Sequence, residues 1–158
     1  MTLGVYSPRV VVESLLDLIV ESALLRGVDL PDRHILPVGG AVFDCELVAV
    51  SFTELTPIDE TACGPTQYNV SMMAVIARLS CANPGGRHGE DPPTPDGYLA
   101  DLIAVGADTE ILLEAANAAI SACGSGSVNI SVGEPSGGMV AAVATVTLPL
   151  WFSKEEIV

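Results

Sequence analysis

The pattern of apolar and polar residues predicts a helix near the start of the chain. Across 8–26 apolar residues recur near helical spacing, while Glu13, Asp17 and Glu21 recur every four residues on the opposite side. Ser7 and Pro8 are typical of a helix start, and Gly27 is typical of a helix end. We expect an amphipathic helix over 8–26, with an apolar face made of Val11, Leu15, Leu18, Ala23 and Leu25.

Two strands are predicted next. Residues 41–53 are rich in β-branched and aromatic residues, and Phe43, Cys45, Leu47 and Ala49 fall on one side of that strand. Residues 68–81 are apolar on both faces in their middle, which predicts a strand in the centre of the sheet. The Pro, Gly and Asp content between them predicts a loop over 55–67.

The second half predicts a helix followed by a hairpin. Residues 82–97 are rich in Pro and Gly and predict a long loop. Strands over 128–132 and 139–151 alternate in polarity, and 133–138 fits the turn between them. Asp96 is expected to cap a helix from about Gly97 to Ala122, which Gly106 could kink. The apolar anchors expected for this helix are Leu99, Leu102, Ile103, Leu112, Leu113 and Ile120.

This order of elements predicts an α+β fold. We expect a single domain over 1–158, with a mostly antiparallel sheet of about four to five strands packed with two helices. The C-terminal residues 152–158 are expected to form a tail that either frays or docks on a partner.

Charge and composition narrow the function classes. The formal net charge is −14, with 20 acidic and 6 basic residues, and the basic residues form no cluster. Direct nucleic-acid binding is therefore not expected, because it depends on Lys and Arg neutralising phosphates. The apolar share of 49% is high for a monomer of this size, and the excess could lie in a subunit interface. Since the sequence shows no signal peptide or apolar run of membrane-spanning length, we expect a soluble protein made in the cytosol.

Candidate chemistry is sparse. The cysteines at 45, 63, 81 and 123 are at least eighteen residues apart, which argues against a zinc site. Cys45 and Cys81 are expected to pack on apolar strand faces as thiols. Cys63 with His88 is the one conceivable nucleophile pair, and chance supplies such a pair easily. We therefore predict no catalytic, metal-binding or cofactor-binding residue.

Three segments together resemble a known family. They are the strand FDCELVAVSF at 43–52, the strand end Arg78-x-x-Cys81, and the hairpin GEPSGGMVAAVATVTLPL at 133–150. In this order they resemble the tail terminator and head-to-tail connector proteins of long-tailed actinobacteriophages. The resemblance implies a structural virion protein, assembled in the host cytoplasm, that forms a homo-oligomeric six-fold ring at the head-proximal end of the tail tube. Such a ring caps tube polymerisation and joins the tail to the head.

The resemblance also implies partners. These are other copies of the chain, the tail tube protein, and a connector or stopper protein on the head side, with no cofactor and no membrane. DNA would pass through the ring without specific binding, and an acidic lumen would help because it does not attract phosphate. The candidate contact residues lie in the Pro/Gly loops and the hairpin tip: Asp59, Glu60, Gly85, Arg87, His88, Glu90, Asp91, Glu134 and Ser136.

Other functions stay open at this point. At the same junction between head and tail, the chain could be a head-completion or stopper protein, or a minor tail protein. From another class, it could be a small acidic oligomeric enzyme with a site between subunits. A small-ligand binding module is a third alternative, although ligand pockets favour aromatic walls and the aromatic content is only 4%.

Overall fold

The computed structural model describes residues 7–37, 45–59, 66–81, 95–133 and 138–152. Within these ranges the elements follow the order α1 (Pro8–Arg26), β1 (His34–Ile35), β2 (Leu47–Asp59), β3 (Thr66–Leu79), α2 (Pro95–Cys123), β4 (Ser127–Gly133) and β5 (Met139–Phe152). The strands form one sheet in the order β1-β2-β3-β5-β4. Only the β1–β2 pair is parallel, so the predicted α+β fold with a mostly antiparallel sheet is confirmed.

Helix α1 has the predicted bounds. Pro8 occupies the first turn, and the N–H of Val11 donates to the carbonyl of Ser7, whose hydroxyl makes no capping bond. Gly27 ends the helix in the left-handed conformation, with φ of 67°, which glycine adopts without steric cost. The predicted apolar face was wrong at Leu25, which is exposed because it points away from the sheet.

Strand β2 lies further along the chain than predicted. The prediction placed a strand over 41–53 and a loop over 55–67, whereas β2 continues to Asp59 and β3 already begins at Thr66. β2 tolerates Pro57 because most of this strand forms an edge of the sheet, where a missing N–H can face outward. The register also shifts between Phe52 and Glu54 and between Pro57 and Asp59, so irregular pairing carries the strand through a loop-like sequence.

Strand β3 is central, as predicted, and the β4–β5 hairpin is confirmed. β3 ends at Leu79, so Cys81 lies beyond the strand and is exposed, which corrects its expected position on an apolar face. Cys45, in contrast, is half-buried against the core. Phe152 is the buried last residue of β5 and does not belong to a tail. Residues 153–158 lie outside the described ranges.

Helix α2 begins earlier than predicted. It starts at Pro95, so 95–97 belong to the helix and Asp96 lies within its first turn instead of capping it. The helix is continuous through Gly106 and ends at Cys123. Its late segment of small residues packs closely on the sheet, as the buried Ala115 and Ala116 indicate.

The two helices pack on one face of the sheet. There the main core joins both helices to alternate residues of β2, β3 and β5, among them Val50, Met72 and Val146. The opposite face has an apolar cluster at one end, formed by Leu47, Ala49, Val75, Ala77, Met139 and Ala141. At its other end this face is polar, and the hydroxyls of Ser71 and Thr147 bond across the strands at 3.0 Å.

Candidate interaction surface

The contact residues predicted from the sequence fall mainly in undescribed segments. Asp59 is the last residue of β2. The other candidates lie outside the described residues: Glu60, Gly85, Arg87, His88, Glu90, Asp91, Glu134 and Ser136. Among the described elements, helix α2 offers a candidate surface for partners.

Helix α2 extends beyond α1. The helices run antiparallel, because Arg26 at the end of α1 donates to Glu110 and Glu114 in the middle of α2, while the start of α1 lines one cavity with the end of α2. α1 has 19 residues and α2 has 29, so the segment of α2 that precedes Glu110 has no α1 beside it. We call residues 95–108 the α2 overhang. At 1.5 Å per residue it is roughly 20 Å long.

The outer side of the α2 overhang is apolar and exposed. Tyr98 is 59% exposed, Leu99 56%, Leu102 55% and Ile103 66%. We call these four residues the overhang patch. They include three of the six anchors that the sequence was expected to bury, so that prediction was wrong at Leu99, Leu102 and Ile103. It was also wrong at Leu113, further along the helix, which is 38% exposed. The apolar periodicity was present, but no neighbouring helix covers this side within the described part of the chain.

The inner side of the α2 overhang is held by two buried aspartates. Asp101 accepts hydrogen bonds from the hydroxyl of Ser80 and from the backbone N–H of Cys81, both at 2.7 Å. Asp108 receives two bonds from the Arg78 guanidinium, at 2.6 and 2.9 Å. Seven residues are close to two helical turns, so both carboxylates lie on the same side of α2. They fix the helix on the end of β3 and leave the overhang patch facing outward.

Arg78 joins three parts of the fold. Besides Asp108 on α2, it donates to the backbone carbonyl of Asp29 at 2.8 Å, after the end of α1. The side chain of Asp108 is only 1% exposed. Burial raises the pKa of the Asp108 carboxyl, and the hydrogen bond and charge of Arg78 oppose this rise without reversing it. The hydrogen bond with Asp108 raises the pKa of Arg78, so the guanidinium stays charged.

The four side chains of the overhang patch are uncharged, while the exposed Asp96 lies beside Leu99 and Ile103 in the first turns of α2. Between Gly97 and Ala107 the only charged residue is Asp101, which is buried. The outer side of α1 carries Glu13, Asp17 and Glu21, as predicted, and these are exposed or half-exposed. In a chain with a net charge of −14, the overhang patch is thus a place where two copies can approach with little direct charge repulsion, Asp96 being its exposed acidic neighbour.

His34 and Cys45 are both held in local contacts near the start of β2. His34 bonds to the carbonyl of Pro31 at 3.0 Å, and Cys45 accepts a bond from Arg33 at 3.0 Å. Within the ranges described above, no cluster of three or more His, Cys, Asp or Glu side chains is placed to hold a metal ion. Cys63 and His88, the conceivable nucleophile pair that chance also explains, lie outside those ranges.

One apolar cavity lies at the other end of the helix pair. It has a volume of about 140 Å³ and is lined by residues including Leu15, Met72, Ala119 and Cys123. Burial raises the pKa of the Cys123 thiol. A neutral thiol is a poor nucleophile, so Cys123 acts here as a small apolar side chain.

Sequence reasoning did not identify Asp101 and Asp108 as anchors. The available signal was two acidic residues seven apart, within a helix that otherwise has few charges, and an arginine at the end of an apolar strand. Arg78 had been singled out only as part of a strand-end motif. Which partner each charge would find depends on the packing of α2 on β3, which sequence spacing does not give.

Comparison with known proteins does not identify the chain. No family model matches it, and no curated protein matches it. In the described part of the chain, neither helix is both long enough and apolar enough to span a membrane.

Proposed function

We propose that the chain is a structural subunit of a phage tail, a tail terminator that forms a ring at the head-proximal end of the tail tube. The observation that carries this proposal is the overhang patch, an exposed and uncharged apolar surface on an otherwise acidic chain. Contiguous apolar surface of roughly 300–600 Å² on a monomer often marks an interaction site. The patch therefore serves as the contact between neighbouring subunits.

The way in which the patch is held supports this role. A ring repeats the same contact around a closed circle, so a small error in the angle of the contact accumulates from one subunit to the next. The bonds of Asp101 and Asp108 fix the α2 overhang to β3 on the side opposite the patch. A rigid helix loses little conformational entropy when it docks on a neighbour.

The acidic residues of α1 support a ring through which DNA passes. Glu13, Asp17 and Glu21 form a stripe along the outer side of α1, in which Glu13 is paired with Arg9 at 2.7 Å and Asp17 and Glu21 are exposed. If the ring surrounds the path of DNA, this stripe is the candidate for the surface that faces it. It would repel phosphate and allow the genome to slide.

The patch can be tested by adding charge to it. The double variant Leu102→Glu with Ile103→Glu should fold normally, because both side chains are more than half exposed, but should not form rings or cap tail tubes. The matched control is Leu24→Glu with Leu25→Glu, two neighbouring leucines at the end of α1 that are each 76% exposed. The mass of each protein by light scattering, with and without tail tube protein, gives the first measurement.

The phage phenotype separates the functions that stay open. A defective terminator gives overlong tail tubes in electron micrographs, whereas a defective stopper gives heads that leak DNA beside complete tails. Overlong tubes from the patch variant, with normal tails from the control, support the terminator. Leaking heads beside tails of normal length would move the assignment to the stopper. Normal infectious particles from the patch variant would contradict the proposal.

A further inference from the structure

The two edges of the sheet differ in how they are protected from other strands. β4 forms one edge, and among the described residues nothing pairs with its outer side. Its seven residues contain no proline and no charge, and its register with β5 is unbroken from Ser127 to Gly133. Val132 is 64% exposed. A regular, uncharged edge of this kind is a template for pairing with another strand.

The opposite edge carries features that hinder pairing. β2 pairs with β1 only at Val48 and Ala49, so the rest of β2 is an edge in the described structure. That segment contains Glu54 and Pro57 and two shifts of register. Charge, proline and bulges are the devices by which natural sheets block their edges. Continuation of the sheet from β4 of one copy onto β2 of the next is therefore disfavoured.

The sequence of β4 is compatible with pairing to itself. A two-fold axis at Ile130 would place Val128 opposite Val132 of a second copy and Asn129 opposite Ser131. Val128 and Ile130 lie on the helix side of the sheet, where both are half-buried against the main core. Ser127, Asn129 and Ser131 lie on the other face and are exposed. Antiparallel pairing about this axis matches apolar with apolar and polar with polar residues, which favours a cross-strand ladder.

Electrostatics favour the same contact. Each copy carries a net charge of −14, so association is opposed wherever acidic residues meet. β4 and its neighbour β5 contain no charged residue over their whole lengths. Two copies joined at β4 would therefore bring together uncharged strands.

We propose that β4 is a second self-association site, at which two copies pair antiparallel about a two-fold axis to make one continuous sheet. This contact is distinct from the overhang patch and does not depend on the terminator assignment. Two single chains would give a dimer, and two rings would give a face-to-face pair. A seven-residue strand pair is smaller than a standard protein interface of roughly 1,600 Å², so the contact is weak and forms at high protein concentration.

The test uses the charged patch variant as background, so that the ring contact does not obscure the result. In Leu102→Glu with Ile103→Glu, sedimentation over a wide concentration range should show a monomer–dimer equilibrium. Adding Val132→Lys should raise the dimer dissociation constant by about tenfold or more, because a charged lysine would lie directly opposite the apolar Val128 of the second copy. Adding Leu55→Lys, an equivalent charge on the protected β2 edge, should leave it unchanged. Val132→Thr keeps a β-branched, uncharged side chain and should still dimerise.

Hydrogen exchange gives a second measurement that is specific to the strand. The β4 amides that do not bond to β5 should exchange more slowly as concentration rises in the background variant, and not in the variant with Val132→Lys. A background protein that stays monomeric at every concentration would overturn the proposal. So would equal dimerisation of the Val132→Lys and Leu55→Lys proteins. If the charged patch leaves ring formation intact, the patch assignment fails, while the comparison of Val132→Lys with Leu55→Lys still decides the role of β4.

Discussion

At the scale of single residues, Arg78 and Asp108 determine how α2 sits on the sheet. Removing one partner of a buried ion pair leaves the other charge without compensation and costs about 3–5 kcal/mol. We expect Asp108→Ala to lower the free energy of unfolding by about this amount, measured by urea denaturation. The control is Glu110→Ala, which removes an exposed partner of Arg26 and should cost about 1 kcal/mol or less. Similar losses of stability in both variants would mean that the charge of Arg78 is compensated without Asp108.

The pH dependence of the free energy of unfolding should report the protonation state of the Asp108 carboxyl. Burial makes its pKa higher in the folded chain than in the unfolded chain. The stabilisation from this group is then complete below the unfolded pKa and is lost as the pH rises through the folded pKa. We expect the native chain to lose stability relative to Asp108→Asn across that window, measured by urea unfolding at a series of pH values. The opposite slope would mean that Arg78 holds the pKa below its ordinary value.

At the scale of elements, the link between α2 and β4 depends on Gly126. Its φ is 147°, and an added Cβ would lie 2.7 Å from the carbonyl oxygen of Thr147 and 2.9 Å from the Leu148 side chain. We expect Gly126→Ala to lower the melting temperature, because both the strain and the overlap act on the start of β4.

Gly106 in α2 gives the contrasting glycine. No atom lies within 4 Å of the position of its Cβ, and the surrounding helix is continuous. Gly106→Ala should stabilise the chain by about 0.5–1 kcal/mol through helix propensity. Calorimetry should show a lower melting temperature for Gly126→Ala and a higher one for Gly106→Ala. Destabilisation by Gly106→Ala would show that α2 needs flexibility at that point.

The elements show how far the sequence pattern determines structure. The bounds of α1 were predictable because its proline, its periodicity and its final glycine all agree, although the Ser7 hydroxyl makes no capping bond. The end of β2 was predicted too early, because Pro57 and Asp59 are typical of a loop. A strand can contain them here because this part of β2 lies at an edge of the sheet. The parallel pairing of β1 was missed because two residues carry no periodicity.

The candidate surface was harder to predict than the fold. Apolar residues at helical spacing predict burial, and Leu112 is buried as this rule expects. Leu99, Leu102 and Ile103 have the same spacing but are exposed, because α1 ends before it can cover them. The relative lengths and antiparallel packing of two helices set this difference, and no local pattern contains that information.

At the scale of the whole molecule, two surfaces are suited to self-association. We propose the overhang patch as the contact of a ring and the β4 edge as the site of a two-fold pairing. Both lack charge in a chain with 20 acidic residues. This distribution suits a protein that stays soluble through charge and assembles where charge is absent.

The mass of the native protein in solution tests the central claim most directly. Light scattering should be recorded over a range of concentrations, alone and with tail tube protein. We expect an assembly with about six times the mass of the 16.3 kDa chain, or a paired assembly of two such rings at high concentration. A 16.3 kDa species at every concentration, unaffected by tube protein, would contradict it.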